Sequence, residues 1–273
     1  MSRIAERFAA LRCEGRAALI PFVEAYDPDP ATSMALLRGM PVAGADLIEI
    51  GMPFTDPMAD GPTIQAAGKR ALKAGATMAR TLAMVRDFRR EDSATPIILM
   101  GYLNPILSYE PARFCKDAAV SGVDGLIVVD LPPEESDVLM PSAQANGLDV
   151  IRLIAPTTHD QRLPLVLEGS SGFVYYVSIT GITGTRTATA DHLAEAIPRI
   201  RRVTDLPIAV GFGVRTPEQA ATVAKVADAA VVASALIDTL AAHLDEQGRA
   251  RPGAVRAVLD QVRALADGVR DTR

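Results

Sequence analysis

Short apolar and β-branched runs recur along the chain at Leu19–Val23, Leu47–Ile50, Ile97–Met100, Leu126–Val129, Val150–Ile154, Phe173–Val177, Ile208–Val210 and Ala230–Val232. Their starts lie mostly about 22 to 34 residues apart, room for one strand, one helix and two loops, and the segments between carry a helical period. Strand and helix alternating in this way predict parallel βαβ units. Several units open on the same punctuation, Ala43-Gly44-Ala45-Asp46 and Ser121-Gly122-Val123-Asp124, with Asn146-Gly147-Leu148-Asp149 a relative. Each Gly is expected to end one helix before the next strand begins. Eight units without a Gly-rich dinucleotide turn after the first strand predict a closed (β/α)8 barrel rather than a doubly wound sheet, with residues 1–273 as one domain.

Two further patterns refine the barrel. Ile4, Phe8 and Leu11 form an apolar stripe on a short N-terminal helix, expected to plug the bottom of the barrel, while Ala254, Val258 and Val262 stripe a terminal helix for outer packing. Between the second and third runs, Met52–Gly75 is an insertion long enough for a loop and an extra helix. Loops that follow strands build the active site in barrels, so this insertion calls for a functional explanation.

Composition narrows the partners. The chain of 273 residues is 49% hydrophobic and 22% charged, with a formal net charge of -5 and 4% aromatics. No basic run marks a nucleic-acid or anionic-membrane surface. The longest nearly apolar stretch, Pro96 to Leu107, is about 12 residues against the roughly 20 that a spanning helix needs. Charged residues Arg3, Glu6, Arg7 and Arg12 interrupt any signal-peptide core, so a cytoplasmic location is expected. Cys13 and Cys115 have no metal-like spacing and are read as free thiols, and no metal site is expected.

The candidate chemistry lies at strand ends. Leu47, Glu49 and Gly51 share one face of the second strand, which places an acid at the mouth of an apolar barrel if that face points inward. Burial would raise its pKa and suit it to proton transfer; the other reading is a Glu satisfied by a neighbouring backbone or hydroxyl group. Asp56 and Asp60 sit in the Pro- and Gly-dense insertion, where turn or cap roles compete with catalysis. Asp130 either faces the mouth or caps the helix of the fourth unit. Three small-residue loops, Gly181–Thr185, Gly211–Gly213 and Ala233–Ala235, follow strands six to eight, where barrels often hold phosphate. Lys69, Lys73, Lys116 and Lys225 all fall in predicted helices, which argues against Schiff-base chemistry, and His159, His192 and His243 are scattered and read as surface histidines.

These motifs resemble the tryptophan synthase alpha chain family over nearly the whole chain. The similarity rests on Glu49 through Gln65, on Met100-Gly101-Tyr102 with Asn104-Pro105, on Asp130 through Glu135, on Tyr175-Tyr176-Val177-Ser178, and on Gly211 through Glu218. The resemblance implies a lyase that cleaves indole-3-glycerol phosphate to indole and glyceraldehyde 3-phosphate in tryptophan biosynthesis. It implies Glu49 as general acid/base and Asp60 as acceptor of the indole N–H. It further implies Phe22, Ile64, Met100, Tyr102, Tyr175, Thr183 and Phe212 around the substrate, and Gly184, Gly213, Ala233 and Ser234 around its phosphate. No cofactor is implied in this chain; the implied partner is a pyridoxal-phosphate beta chain in an α2β2 heterotetramer. Glu24 and Tyr26 stand where the family usually has a small hydroxyl residue and a glycine, and are expected to crowd the mouth. Ala233 and Leu103 replace a glycine and an aromatic residue. Two other readings stay open: a phosphosugar isomerase on the same barrel, and a catalytically weak barrel that mainly binds and activates a beta chain.

Overall fold

The apolar runs form parallel strands that carry the chain around a barrel, in a computed structural model that describes residues 2–177, 190–211 and 213–271. The strands are β1 (Ala18–Glu24), β2 (Ile48–Gly51), β3 (Ile97–Gly101), β4 (Gly125–Val128), β5 (Asp149–Val150), β6 (Arg152–Ile154), β7 (Val174–Val177), β8 (Ile208–Gly211) and β9 (Ala229–Val232). The helices are α1 (Arg3–Cys13), α2 (Pro30–Ala43), α3 (Pro62–Lys73), α4 (Met78–Arg89), α5 (Leu103–Tyr109), α6 (Pro111–Ser121), α7 (Met140–Ala145), α8 (Leu163–Leu167), α9 (Ala190–Arg201), α10 (Pro217–Ala224), α11 (Ser234–Ala242) and α12 (Ala254–Arg270).

The sheet order is β5-β4-β3-β2-β1-β9-β8-β7-β6, all parallel. One expectation needs correction: the fifth run is two strands rather than one. Asp149–Val150 pairs with β4, whereas Arg152–Ile154 pairs with β7, and the chain changes partner at Ile151. The Ile151 N–H still reaches the Leu126 carbonyl at 3.0 Å, so the divided run is where the ring nearly closes.

The Gly-x-Asp punctuation has a physical explanation. Gly44 and Gly122 end α2 and α6 with φ of 110° and 91°, a conformation that a Cβ would disfavour. The Asp two residues later turns back under the barrel and accepts an N–H at the start of a neighbouring strand. Asp46 takes Leu19 N–H at 2.9 Å and Asp124 takes Ile97 N–H at 2.8 Å. Both carboxylates are buried and paired with arginines, Asp46 with Arg7 and Arg16, Asp124 with Arg3 and Arg89.

Alternation then sorts each strand's side chains into two layers. Ala18, Ile20, Leu47, Ile98, Ile127, Phe173, Tyr175, Ala209 and Val231 fill the interior, where Ile4, Phe8 and Leu11 of α1 close the bottom as expected. The Phe8 and Phe173 rings lie 5.8 Å apart. Outward residues such as Ile48 and Ile50 pack under the helices, and Ala254, Val258 and Val262 of α12 join that outer layer. With the bottom plugged, the interior formed by the described residues opens at the strands' C-terminal ends.

Candidate active site

The register of β1 against β2 places the acids. Phe22 pairs with Glu49 and Glu24 with Gly51, so all four face the interior on adjoining strands. Glu49 is 1% exposed, and neither carboxyl oxygen has a hydrogen-bond partner among the described residues. The reading in which a backbone or hydroxyl group satisfies it is therefore excluded within those residues. Burial alone pushes the Glu49 carboxyl up to about 8, because the charged form finds no compensating dipole or cation. At neutral pH Glu49 holds its proton.

Asp60 reaches the same cavity from the insertion. Pro and Gly fix the loop: Asp60 N–H donates to the Pro57 carbonyl at 3.1 Å, and the Gln65 side chain donates to the Asp60 carbonyl at 2.9 Å as α3 begins. The Tyr102 hydroxyl donates to Asp60 Oδ1 at 2.9 Å and accepts the Ala59 N–H at 3.1 Å, clamping the loop to the end of β3. Burial raises the Asp60 carboxyl, and the Tyr102 hydrogen bond opposes that rise. Burial and the Asp60 charge both push the Tyr102 phenol up, so it remains a donor. Phe54 packs on the Tyr102 ring at 5.6 Å between centroids.

The cavity and its solvent-open mouth together enclose about 890 Å³. Phe22, Ile64, Met100, Tyr102 and Tyr175 all line it with Glu49 and Asp60. Tyr175 is buried, its hydroxyl lies where a Cβ on Gly211 would collide with it, and the Glu49 charge pushes its phenol further up. Gly213, Ala233 and Ser234 line the cavity too. Ala233 is the N-cap of α11 and makes no side-chain cap, so the helix opens on the cavity with first-turn N–H groups that no cap side chain satisfies. Such an end suits an anion. Thr183, Gly184 and Phe212 lie outside the described residues.

Several expectations are corrected. Tyr26 does not crowd the mouth; at φ 72° it turns away and packs into the outer layer, while Glu24 does line the cavity. Asp130 accepts the Leu103 N–H at 2.8 Å, so it caps the start of α5, which follows β3, rather than the helix of its own fourth unit. Two of the three histidines, His192 and His243, are half-buried rather than surface groups, while His159 is exposed; the His192 ring stacks on Tyr176, with Nε2 2.8 Å from the hydroxyl. Glu24, Val129, Arg215 and Val231 also line the cavity and had not been singled out as site residues. Strand alternation was the available signal for Glu24 and Val231. Among the described residues no cluster of His, Cys, Asp and Glu is arranged to hold a metal ion, and no helix is long and apolar enough to cross a membrane.

A parallel barrel with a neutral buried carboxyl and a second acid around one apolar cavity, beside an open helix N-terminus, defines an enzyme of acid–base chemistry on a largely apolar, anionic small molecule. Residues 8–267 match the sequence profile of the tryptophan synthase alpha chain. The tryptophan synthase alpha chain of Granulibacter bethesdensis is 70% identical over 273 residues, covering 100% of this chain and 98% of that protein. That of Acidiphilium cryptum is also 70% identical over 273 residues, covering 100% and 99%. The crystal structure of tryptophan synthase subunit alpha from Legionella pneumophila superposes with a TM-score of 0.91 at 36% identity, covering 99% of each chain. The chain belongs to the tryptophan synthase alpha chain family, the lyases that cleave indole-3-glycerol phosphate in tryptophan biosynthesis.

Proposed function

We propose that Glu49 and Asp60 divide the cleavage of indole-3-glycerol phosphate between them. The observation that carries this reading is a buried Glu49, without a hydrogen-bond partner among the described residues, lining one cavity with an Asp60 held by Tyr102. Glu49 donates its proton to the indole carbon that bears the glycerol chain. The ring nitrogen becomes positive as this happens, and the Asp60 carboxylate, accepting the indole N–H, stabilises that charge. The Glu49 carboxylate then takes the proton of the adjacent glycerol hydroxyl. The carbon–carbon bond breaks, its electron pair restores the aromatic ring, and the hydroxyl oxygen closes an aldehyde. The products are indole and glyceraldehyde 3-phosphate, with Glu49 protonated again.

Phe22, Ile64, Met100 and Tyr175 hold the ring, and Gly213, Ala233, Ser234 and the α11 N-terminus hold the phosphate. Thr183, Gly184 and Phe212 complete these two groups in the same reading. The whole chain, 1–273, acts as one barrel domain in the cytoplasm without a cofactor of its own. Its partner is a pyridoxal-phosphate beta chain that consumes the indole, in an α2β2 heterotetramer.

The test is indole release from indole-3-glycerol phosphate. Glu49→Gln is expected to lower kcat by about 10²- to 10⁴-fold, the range for a positioned acid/base, and Asp60→Asn to lower it by a similar order. Turnover near wild type in either variant contradicts the division of roles. A wild-type chain that releases no indole yet stimulates an added beta chain supports the binding-partner reading instead.

A further inference from the structure

The site contains a third acid that the mechanism leaves unused. Glu24 ends β1, is 5% exposed, and lines the same cavity as Glu49 and Asp60. Its carboxyl leans over Gly51, where a Cβ would collide with Oε2, and has no hydrogen-bond partner among the described residues. The cation that acts on it, Arg70 of α3, is already bound by Asp27 at 2.7 and 2.8 Å, through Nε and a terminal nitrogen. Burial and the charges of Asp60 and Asp27 all raise the Glu24 carboxyl well above its ordinary value. Glu49, Tyr102, Tyr175 and Arg215 are the other ionisable groups around that space.

Position in the sheet says what meets this carboxyl. Strand order runs β2-β1-β9-β8, so the end of β1 stands between Glu49 on β2 and the phosphate cradle at the ends of β8 and β9. On ideal strand spacings, the Glu24 Cα lies about 8 Å diagonally from that of Glu49, one step nearer the mouth. A substrate whose reacting carbon sits at Glu49 and whose phosphate sits at Ala233 and Ser234 must lead its glycerol chain across the end of β1. We propose that Glu24 is a specificity-determining residue whose carboxyl hydrogen-bonds a hydroxyl of the substrate's glycerol chain. This rests on the cavity being the cleavage site, as read above.

Steady-state indole release by wild type, Glu24→Gln and Glu24→Met tests the assignment, with thermal melting to verify folding. Glutamine keeps the length and a donor; methionine keeps the length and loses it. Glu24→Gln is expected to hold KM within about threefold of wild type, and Glu24→Met to raise KM about tenfold, with kcat within about threefold in both. An indolylpropyl phosphate, which has no glycerol hydroxyls, is expected to inhibit all three proteins with the same Ki. Equal KM in Glu24→Met and wild type overturns the proposal, as does a Glu24→Gln variant as impaired as Glu24→Met, or a tenfold change in the Ki of the deoxy analogue. Glu49→Gln separates the two readings. If it turns over normally, the cavity is not the cleavage site; if it is inactive while Glu24→Met keeps its KM, only the role of Glu24 fails.

Discussion

Replacing Glu49 by Gln is expected to change the pH dependence of stability more than stability itself. The carboxyl titrates at about 8 in the folded chain against an ordinary value of 4.5. Between these values the folded state keeps a proton that the unfolded state has released. The contribution of Glu49 is therefore fully present below about pH 4.5 and is lost as pH rises towards 8. The slope is about 1.4 kcal/mol per pH unit, so wild type should lose about 3 kcal/mol from this group between about pH 5 and 7.5. Glutamine is also polar and buried without a partner, but its cost is the same at both pH values and cancels from the difference. Urea unfolding of wild type and Glu49→Gln at the two pH values measures that difference, with other titrating groups common to both proteins. The variant should gain about 3 kcal/mol relative to wild type on going to the higher pH. An offset that stays constant within about 0.5 kcal/mol would show that Glu49 ionises in the fold and would refute the assignment of a neutral acid.

Tyr102→Phe removes the donor that opposes the rise of the Asp60 carboxyl, so the acid limb of kcat/KM should move to higher pH, with activity at neutral pH falling about tenfold. An unmoved limb would mean that the clamp does not reach Asp60 during turnover. Gly51→Ala places a methyl against Glu24 and within 2.6 Å of Phe22 Cζ; chemical denaturation should show a loss of about 1–3 kcal/mol, and substrate affinity should fall with it. Asp124→Ala leaves Arg89 and the Ile97 N–H buried without their partner, and should lower stability by about 3–5 kcal/mol while kcat of the folded fraction stays at the wild-type value.

The barrel was legible because each strand is an apolar run and because Gly44-Ala45-Asp46 and Gly122-Val123-Asp124 mark helix ends with carboxylates that return to the sheet, whereas Asp149 of the related third run accepts the Ser2 hydroxyl. The stripe of Ile4, Phe8 and Leu11 was legible for the same reason: burial on one helical face leaves a period. The break at Ile151 was not, because Val150–Ile154 reads as one continuous run and only its two partners, β4 and β7, divide it. Glu49 could be placed from alternation alone, but its lack of a partner depends on what surrounds it from the opposite side of the barrel. The hydrogen bond from Tyr102 to Asp60 joins residues 42 apart through a loop whose path no periodicity records. Tyr26 and Glu24 are two residues apart and looked alike as bulky intruders; the positive φ of Tyr26 sends one ring outward, and the extended strand keeps the other side chain in the cavity.

The most direct measurement is the pH dependence of kcat/KM for indole release by the wild-type chain. If protonated Glu49 is the acid that starts the cleavage, the rate should fall tenfold per pH unit above about pH 8, where that proton is lost. A rate that stays level or rises from about pH 7 to 10 would contradict it, since the acid would then be absent while the chemistry continued.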